Sequence, residues 1–292
     1  MRISISALVL VAALGPIVAH ADVKQDLTAK LQSLPGDDKL TEFPKFAISN
    51  NMIHVGWTKG NVHDLLPGTP GDGTAKLEKV VVTVSDDQKV AWIAAEIRGV
   101  RGKNDCTPAP CAPITLPPAH ATALLEKVGD TWRWVAWHIS DPTTIGEQRQ
   151  ALQDGTAPDV IARSVSGAED VAAVFETTLV DPKALAASVS SRKDVVLYGS
   201  AAAERYVGAK VKAQLAAWKL AFRVRDGVQA GLVGSSNVAW VAANVDAMSL
   251  ARPKAKPTPY RILAIYEKTG GTWSLVQIHF SVDVWTWSGK TK

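Results

Sequence analysis

The feature that most constrains this chain is that it repeats itself. The stretch His120 to Ser140, HATALLEKVGDTWRWVAWHIS, returns as RILAIYEKTGGTWSLVQIHFS at Arg261 to Ser281. At an offset of 141 residues, Glu126-Lys127 falls on Glu267-Lys268, Gly129 on Gly270, Thr131-Trp132 on Thr272-Trp273, and His138 with Ser140 on His279 with Ser281. A second block recurs upstream at an offset of 148, with Lys89 to Glu96 (KVAWIAAE) lying over Asn237 to Asn244 (NVAWVAAN). The chain therefore reads as two copies of one unit. The first copy carries about seven extra residues between its Trp92 strand and its hairpin, an interval that contains Cys106-Thr-Pro-Ala-Pro-Cys111.

Each copy has the pattern of a β-hairpin. An apolar run closes on Glu-Lys, a short turn holds a glycine that tolerates positive φ, and a second run opens on Thr-Trp. Strand alternation in the later copy predicts Trp273, Leu275, Gln277, His279 and Ser281 on one face, with Ser274, Val276, Ile278 and Phe280 on the other. Both faces are largely apolar, as in a strand covered on both sides.

Residues 1–21 have the form of a leader: Arg2 at the front, an apolar run to Val18, and Ala19-His20-Ala21 as a cleavage site. The run is short for a membrane span. The expectation is a mature chain starting at Asp22 in the periplasm or outside the cell, with no integral membrane segment. Cleavage removes Arg2 and lowers the formal charge of +4 by one. With no basic tract, nucleic acid is a poor partner. In an oxidising compartment Cys106 and Cys111 are expected to close a small disulfide ring, two free thiols being the alternative. No metal is expected, since two cysteines without further ligands do not complete a tetrahedral set.

Along the chain, Val23, Leu27, Leu31 and Leu34 suggest a helix, residues 50–57 a strand, and 79–84 with 90–100 a hairpin around Ser85-Asp86-Asp87. Residues 143–168 join the halves. The second half restarts with helical stretches at 169–179 and 182–189, a strand at 194–199 and a helix at 209–218. Strands near 220–224, 228–233 and 238–247 then lead to the final hairpin. The order predicts an α+β layer in which one curved antiparallel sheet is covered by helices.

The strings DVVLYGSAAAERYVGAKVKAQL (194–215), SNVAWVAANVD (236–246) and YEKTGGTWSLVQIHFS (266–281) resemble the SnoaL-like branch of the nuclear transport factor 2 superfamily. In the first half the resemblance rests on KVAWIAAEI and LLEKVGDTWRWVAWHIS, and the Glu204-Arg205-x-x-Gly208 segment has no counterpart there. The resemblance implies two cone domains, each a curved antiparallel sheet wrapped on helices with a pocket at its open end: 22–142 and 169–284, with 143–168 between them and a tail at 285–292. Cones of this family commonly dimerise through the sheet, so the two are expected to form an intramolecular pseudo-dimer. The fold hosts isomerases, cyclases, hydrolases and many binding modules, and so implies a pocket without a reaction.

Candidate pocket residues are Trp92, Glu96 and His138 in the first half and Trp240, Asn244, Asp246 and His279 in the second, if the Trp and His strands share a face. The histidines read equally well as hydrogen-bonded core residues. Acid–base work would fall on His279 with Asp246, because Glu96 and Arg98 are replaced by Asn244 and Asp246 in the other copy. Asp246 reads equally as a strand-end residue beside the loop at 248–259. Ser288-Gly289-Lys290-Thr291 ends like a phosphate-binding loop, yet Val284 stands where the first glycine belongs. Dinucleotide, zinc-protease and serine-hydrolase signatures are absent from the sequence, so no cofactor is expected. Two readings follow: an exported non-catalytic module for a small apolar ligand or a protein partner, or an isomerase or hydrolase built on His279 and Asp246.

Overall fold

The computed structural model describes residues 23–29, 46–49, 74–101, 114–115, 118–140, 162–234 and 237–282. The expected disulfide cysteines, the strand expected at 50–57, His54, His63 and the C-terminal tail lie outside them.

Two six-stranded sheets carry the fold. The first contains β1 (Phe46–Ser49), β2 (Thr74–Val84), β3 (Val90–Arg101), β4 (Ile114–Thr115), β5 (Ala119–Val128) and β6 (Thr131–Ser140), in the order β1-β6-β5-β3-β2, with β4 on the end of β3. The second contains β7 (Val196–Tyr198), β8 (Arg205–Val207), β9 (Leu220–Val233), β10 (Val238–Ser249), β11 (Thr258–Thr269) and β12 (Thr272–Val282), in the order β8-β7-β12-β11-β10-β9. Corresponding strands occupy corresponding places. Trp92 faces Leu124 across β3 and β5, and Trp240 faces Ile265 across β10 and β11; His138 faces Thr122, and His279 faces Leu263. Even the irregularities match. The β5–β6 ladder slips after Leu124 and the β11–β12 ladder after Ile265, the same place in each repeat.

Those slips correct the strand parity expected from simple alternation. Val276 is the extra residue of β12, so the faces exchange there. Trp273, Leu275, Ile278 and Phe280 point into the helix-covered core, while Gln277, His279 and Ser281 point the other way. One other expectation changes: the strands expected at 220–224 and 228–233 are one strand, bent opposite Asn244. A short strand, β8, adds to the elements read from the sequence.

The helices are made by local rules. α1, residues 23–29, lays Leu27 against the first sheet. α2 (Glu169–Leu179) begins with Glu169 and Asp170, which suit the positive end of the helix dipole, and buries Val171, Ala172, Phe175 and Leu179 along one stripe. α3 (Pro182–Ser188) starts with Pro182 in the first turn, and the Asp181 side chain accepts from the Lys183 amide at 2.9 Å. α4 (Ala209–Ala217) buries Val211 and Leu215, one turn apart. Ahead of α2, Ser164 is bonded to the backbone of β9 at Val228 and Ala230, so the end of the joining stretch is seated on the second sheet. No helix among the described residues is long and apolar enough to cross a membrane.

The faces turned away from the helices meet each other. Val90, Trp92, Leu124 and Ala136 of the first sheet form one apolar cluster with Val233, Val238, Ala242, Leu263, Ile265 and Val276 of the second. Polar bonds stud this apolar contact. His138 Nε2 lies 2.7 Å from Ser281 Oγ, and in mirror fashion His279 Nε2 lies 2.7 Å from Ser140 Oγ. The two imidazoles stack at 3.9 Å. Gln277 donates to the Ile93 carbonyl and to Thr122 Oγ1, and Thr83 donates to Asp194.

Candidate functional site

A cavity of about 240 Å³ opens on the other, helix-covered side of the second sheet. It lies where β9, β11 and β12 reach α4 and the 199–204 loop. Alternation brings its walls together: Phe222 from β9, Tyr260 from β11 and Phe280 from β12 point to the same side, and Trp218 closes α4 above them. Their rings touch at edges and tilts, Trp218 to Phe280 at 5.0 Å, Phe222 to Phe280 at 5.0 Å and Phe222 to Tyr260 at 6.0 Å, the geometry aromatic quadrupoles favour.

The polar end is small. Ser200 Oγ stands 3.5 Å from the Tyr260 hydroxyl. Burial pushes the Tyr260 phenol up from its ordinary value; the Ser200 hydroxyl opposes this and the charge of Glu204 adds to it. Glu204 Oε2 accepts from the Ala201 amide at 3.0 Å. Gly199 makes room for it, because a Cβ there would lie 2.2 Å from that same oxygen. Gln214 and the exposed Lys219 complete the rim. Such a site can hold an apolar body between rings and read one polar group at its end.

None of the residues proposed from sequence lines this cavity. Trp92 is buried between the sheets, with the Arg192 guanidinium 5.3 Å from its ring centre. Trp240 packs against the same contact from its side, its indole lying across Gly231, where a Cβ would come within 2.8 Å of Nε1. Glu96 is buried and accepts from Lys79 at 2.9 Å, with Arg205 3.9 Å away. Asn244 donates to Asp226 at 3.1 Å. His138 and His279 are the stacked pair between the sheets.

The structure does not bring His279 and Asp246 together. Asp246 accepts from Arg225 and lies 3.7 Å from Arg223. In the ladder His279 is level with Leu263 and Ala242. Asp246 is four residues further along β10, about 13 Å, and two strands across, about 10 Å. Burial holds His138 down to about 3, the Arg261 charge adding to it. His279 is likewise held well below its ordinary value, first by burial and then by the neighbouring histidines. Among the described residues no group of His, Cys, Asp or Glu side chains could hold a metal ion.

No family model matches the sequence, and no curated protein matches it. Solved structures do. An NTF2-like protein from Pseudomonas putida KT2440 is 14% identical, with 41% of this chain and 89% of that one covered at a TM-score of 0.32. An NTF2-like protein from Cytophaga hutchinsonii is 15% identical, with 39% and 97% covered at 0.31. A protein of the DUF3225 family from Pectobacterium atrosepticum is 17% identical, with 44% and 98% covered at 0.31. Each of these likenesses spans only 39% to 44% of this chain. The chain itself shows two mainly antiparallel sheets, helices packed on the second of them and a pocket beside those helices.

The sequence offered one signal for this lining that the candidate residues did not use. Glu204 opens the Glu-Arg-x-x-Gly segment present only in the second half.

Proposed function

We propose that the chain is an exported pair of cone units in tandem, and that it is a non-catalytic module whose second unit takes a small, largely apolar ligand. The observation that carries this is the make-up of the pocket: four aromatic rings around about 240 Å³, with two hydroxyls and one carboxylate at the end. Ligand pockets of this kind bury an apolar body and use a few fixed polar groups for orientation. The His279–Asp246 alternative has less support, because both residues point away from this cavity and each has its own partner on the far side of the sheet. The leader-like residues 1–21 support export, and the repeated strings with their matching ladder slips support a tandem origin.

Titration calorimetry with 2-naphthol, a flat bicycle carrying one hydroxyl, tests the pocket. The expected outcome is saturable binding of one molecule per chain, abolished by Leu220→Trp, which places a bulky ring at the half-buried mouth. Absence of binding to the unaltered protein, or equal binding to the filled variant, would overturn the reading.

A further inference from the structure

We infer that the ligand of the aromatic pocket is a cation, a small amine carried on an apolar body. The inference rests on the binding reading above and adds the charge of the ligand. Glu204 is the starting point. Several carboxylates held against the sheets have a basic partner: Glu96 has Lys79, Asp194 and Glu267 share Arg192, and Asp246 has Arg225, while Glu126, like Glu204, is met by a backbone amide. Glu204 has the Ala201 amide, and among the described residues no arginine or lysine is paired with it. Glu204 is half-buried at the end of the pocket, and a carboxylate there gains from an opposite charge brought to it.

The walls fit the same kind of ligand. Aromatic faces are electron-rich and attract ammonium groups, most strongly where water is excluded. Trp218, Phe222, Tyr260 and Phe280 supply four such rings beside one carboxylate. The Ser200 and Tyr260 oxygens can accept hydrogen bonds from an ammonium group. Glu204 is also held in place: its oxygen is tied to the backbone and its side chain fills the space that a residue larger than Gly199 would take. An anionic ligand would meet that fixed charge. Lys219 does not compensate it, since its exposed ammonium stands at the rim where water and salt screen it.

Three probes sharing one ring system separate the possibilities: tryptamine, tryptophol and indole-3-acetate, which present a cation, a neutral hydroxyl and an anion. Calorimetry at pH 7 on the full chain is expected to show tryptamine bound at least tenfold more tightly than tryptophol, with indole-3-acetate weakest. Glu204→Gln keeps an oxygen for the Ala201 amide and removes the charge. It should abolish the preference for tryptamine, bringing tryptamine and tryptophol to similar affinity. The comparison of probes on the unaltered protein stands even if that variant folds poorly. Tryptophol binding as tightly as tryptamine, or a preference for tryptamine that survives in folded Glu204→Gln, would refute the cation inference and leave the pocket reading intact. Failure of all three to bind would remove both.

Discussion

The two faces of the second sheet are made by the same strands and are built on opposite principles. On β12, the face toward the helices carries Trp273, Leu275, Ile278 and Phe280, and ends in the aromatic pocket. The face toward the first sheet carries Gln277, His279 and Ser281, each hydrogen-bonded across to the other half. Two apolar sheet faces can slide over one another at little cost, because the hydrophobic effect has no direction. Buried hydrogen bonds do have direction, and an unmet one is expensive. The polar residues in mid-strand therefore fix how the halves meet. A histidine in the middle of a strand can look like site chemistry and still serve as a fastener.

The largest effect expected from this contrast is acid sensitivity confined to the fastened face. His120, His138 and His279 are all held below their ordinary values in the fold, chiefly by burial. An unfolded chain therefore takes up these protons first, near pH 6.5. Their contribution to stability is complete above that pH. It is lost as pH falls from 6.5 toward about 3, the value to which His138 is held. Each histidine can contribute a slope of up to about 1.4 kcal/mol per pH unit. Urea unfolding across pH 7 to 4 should show this decline, and His138→Phe should flatten it. An equally steep decline in that variant would mean that the histidine cluster is not its source.

A smaller effect is expected at neutral pH from the same residues. His138→Phe keeps a ring for stacking and leaves Ser281 without its partner; His279→Phe does the same to Ser140. A buried group stranded in this way costs about 1 to 3 kcal/mol. Thermal unfolding measures the loss, and 2-naphthol titration should show the pocket unchanged. Weakened probe binding with unaltered stability would reverse the assignment of the two faces.

How far these faces could be read from the sequence depends on which residues carry each feature. The hairpins were legible because Gly129 and Gly270 sit at positive φ in the turns, 61° and 57°, where glycine is the residue that fits without strain. The matching of Trp92 with Trp240 followed from the repeated strings. The parity of β12 was not legible. Nothing in Val276-Gln277 marks an extra residue in a ladder, and one such residue sends every later side chain to the opposite face. His279 does share a face with Trp240, as its choice as a pocket candidate supposed, but that face meets the first sheet instead of lining a pocket. The pocket itself was hidden for a different reason. Glu204, Trp218, Phe222, Tyr260 and Phe280 come from separate elements, and only the packing of α4 against the sheet gathers them.

The smallest expected effect sharpens the contrast most directly, because it removes a polar atom from the other face. Tyr260→Phe deletes a hydroxyl whose Ser200 partner is 3.5 Å away, at the long limit of a hydrogen bond. Tyr260 is half-buried beside an open cavity, so water can reach what the hydroxyl leaves behind. The stability cost should then be about 0.5 kcal/mol or less, below the range expected for either histidine. Binding of 2-naphthol should weaken, because the pocket loses one of its two hydroxyls while its aromatic wall is unchanged. A stability loss as large as that of His279→Phe would show that Tyr260 holds the cone together, and the line drawn between a fastened face and a binding face would have to be moved.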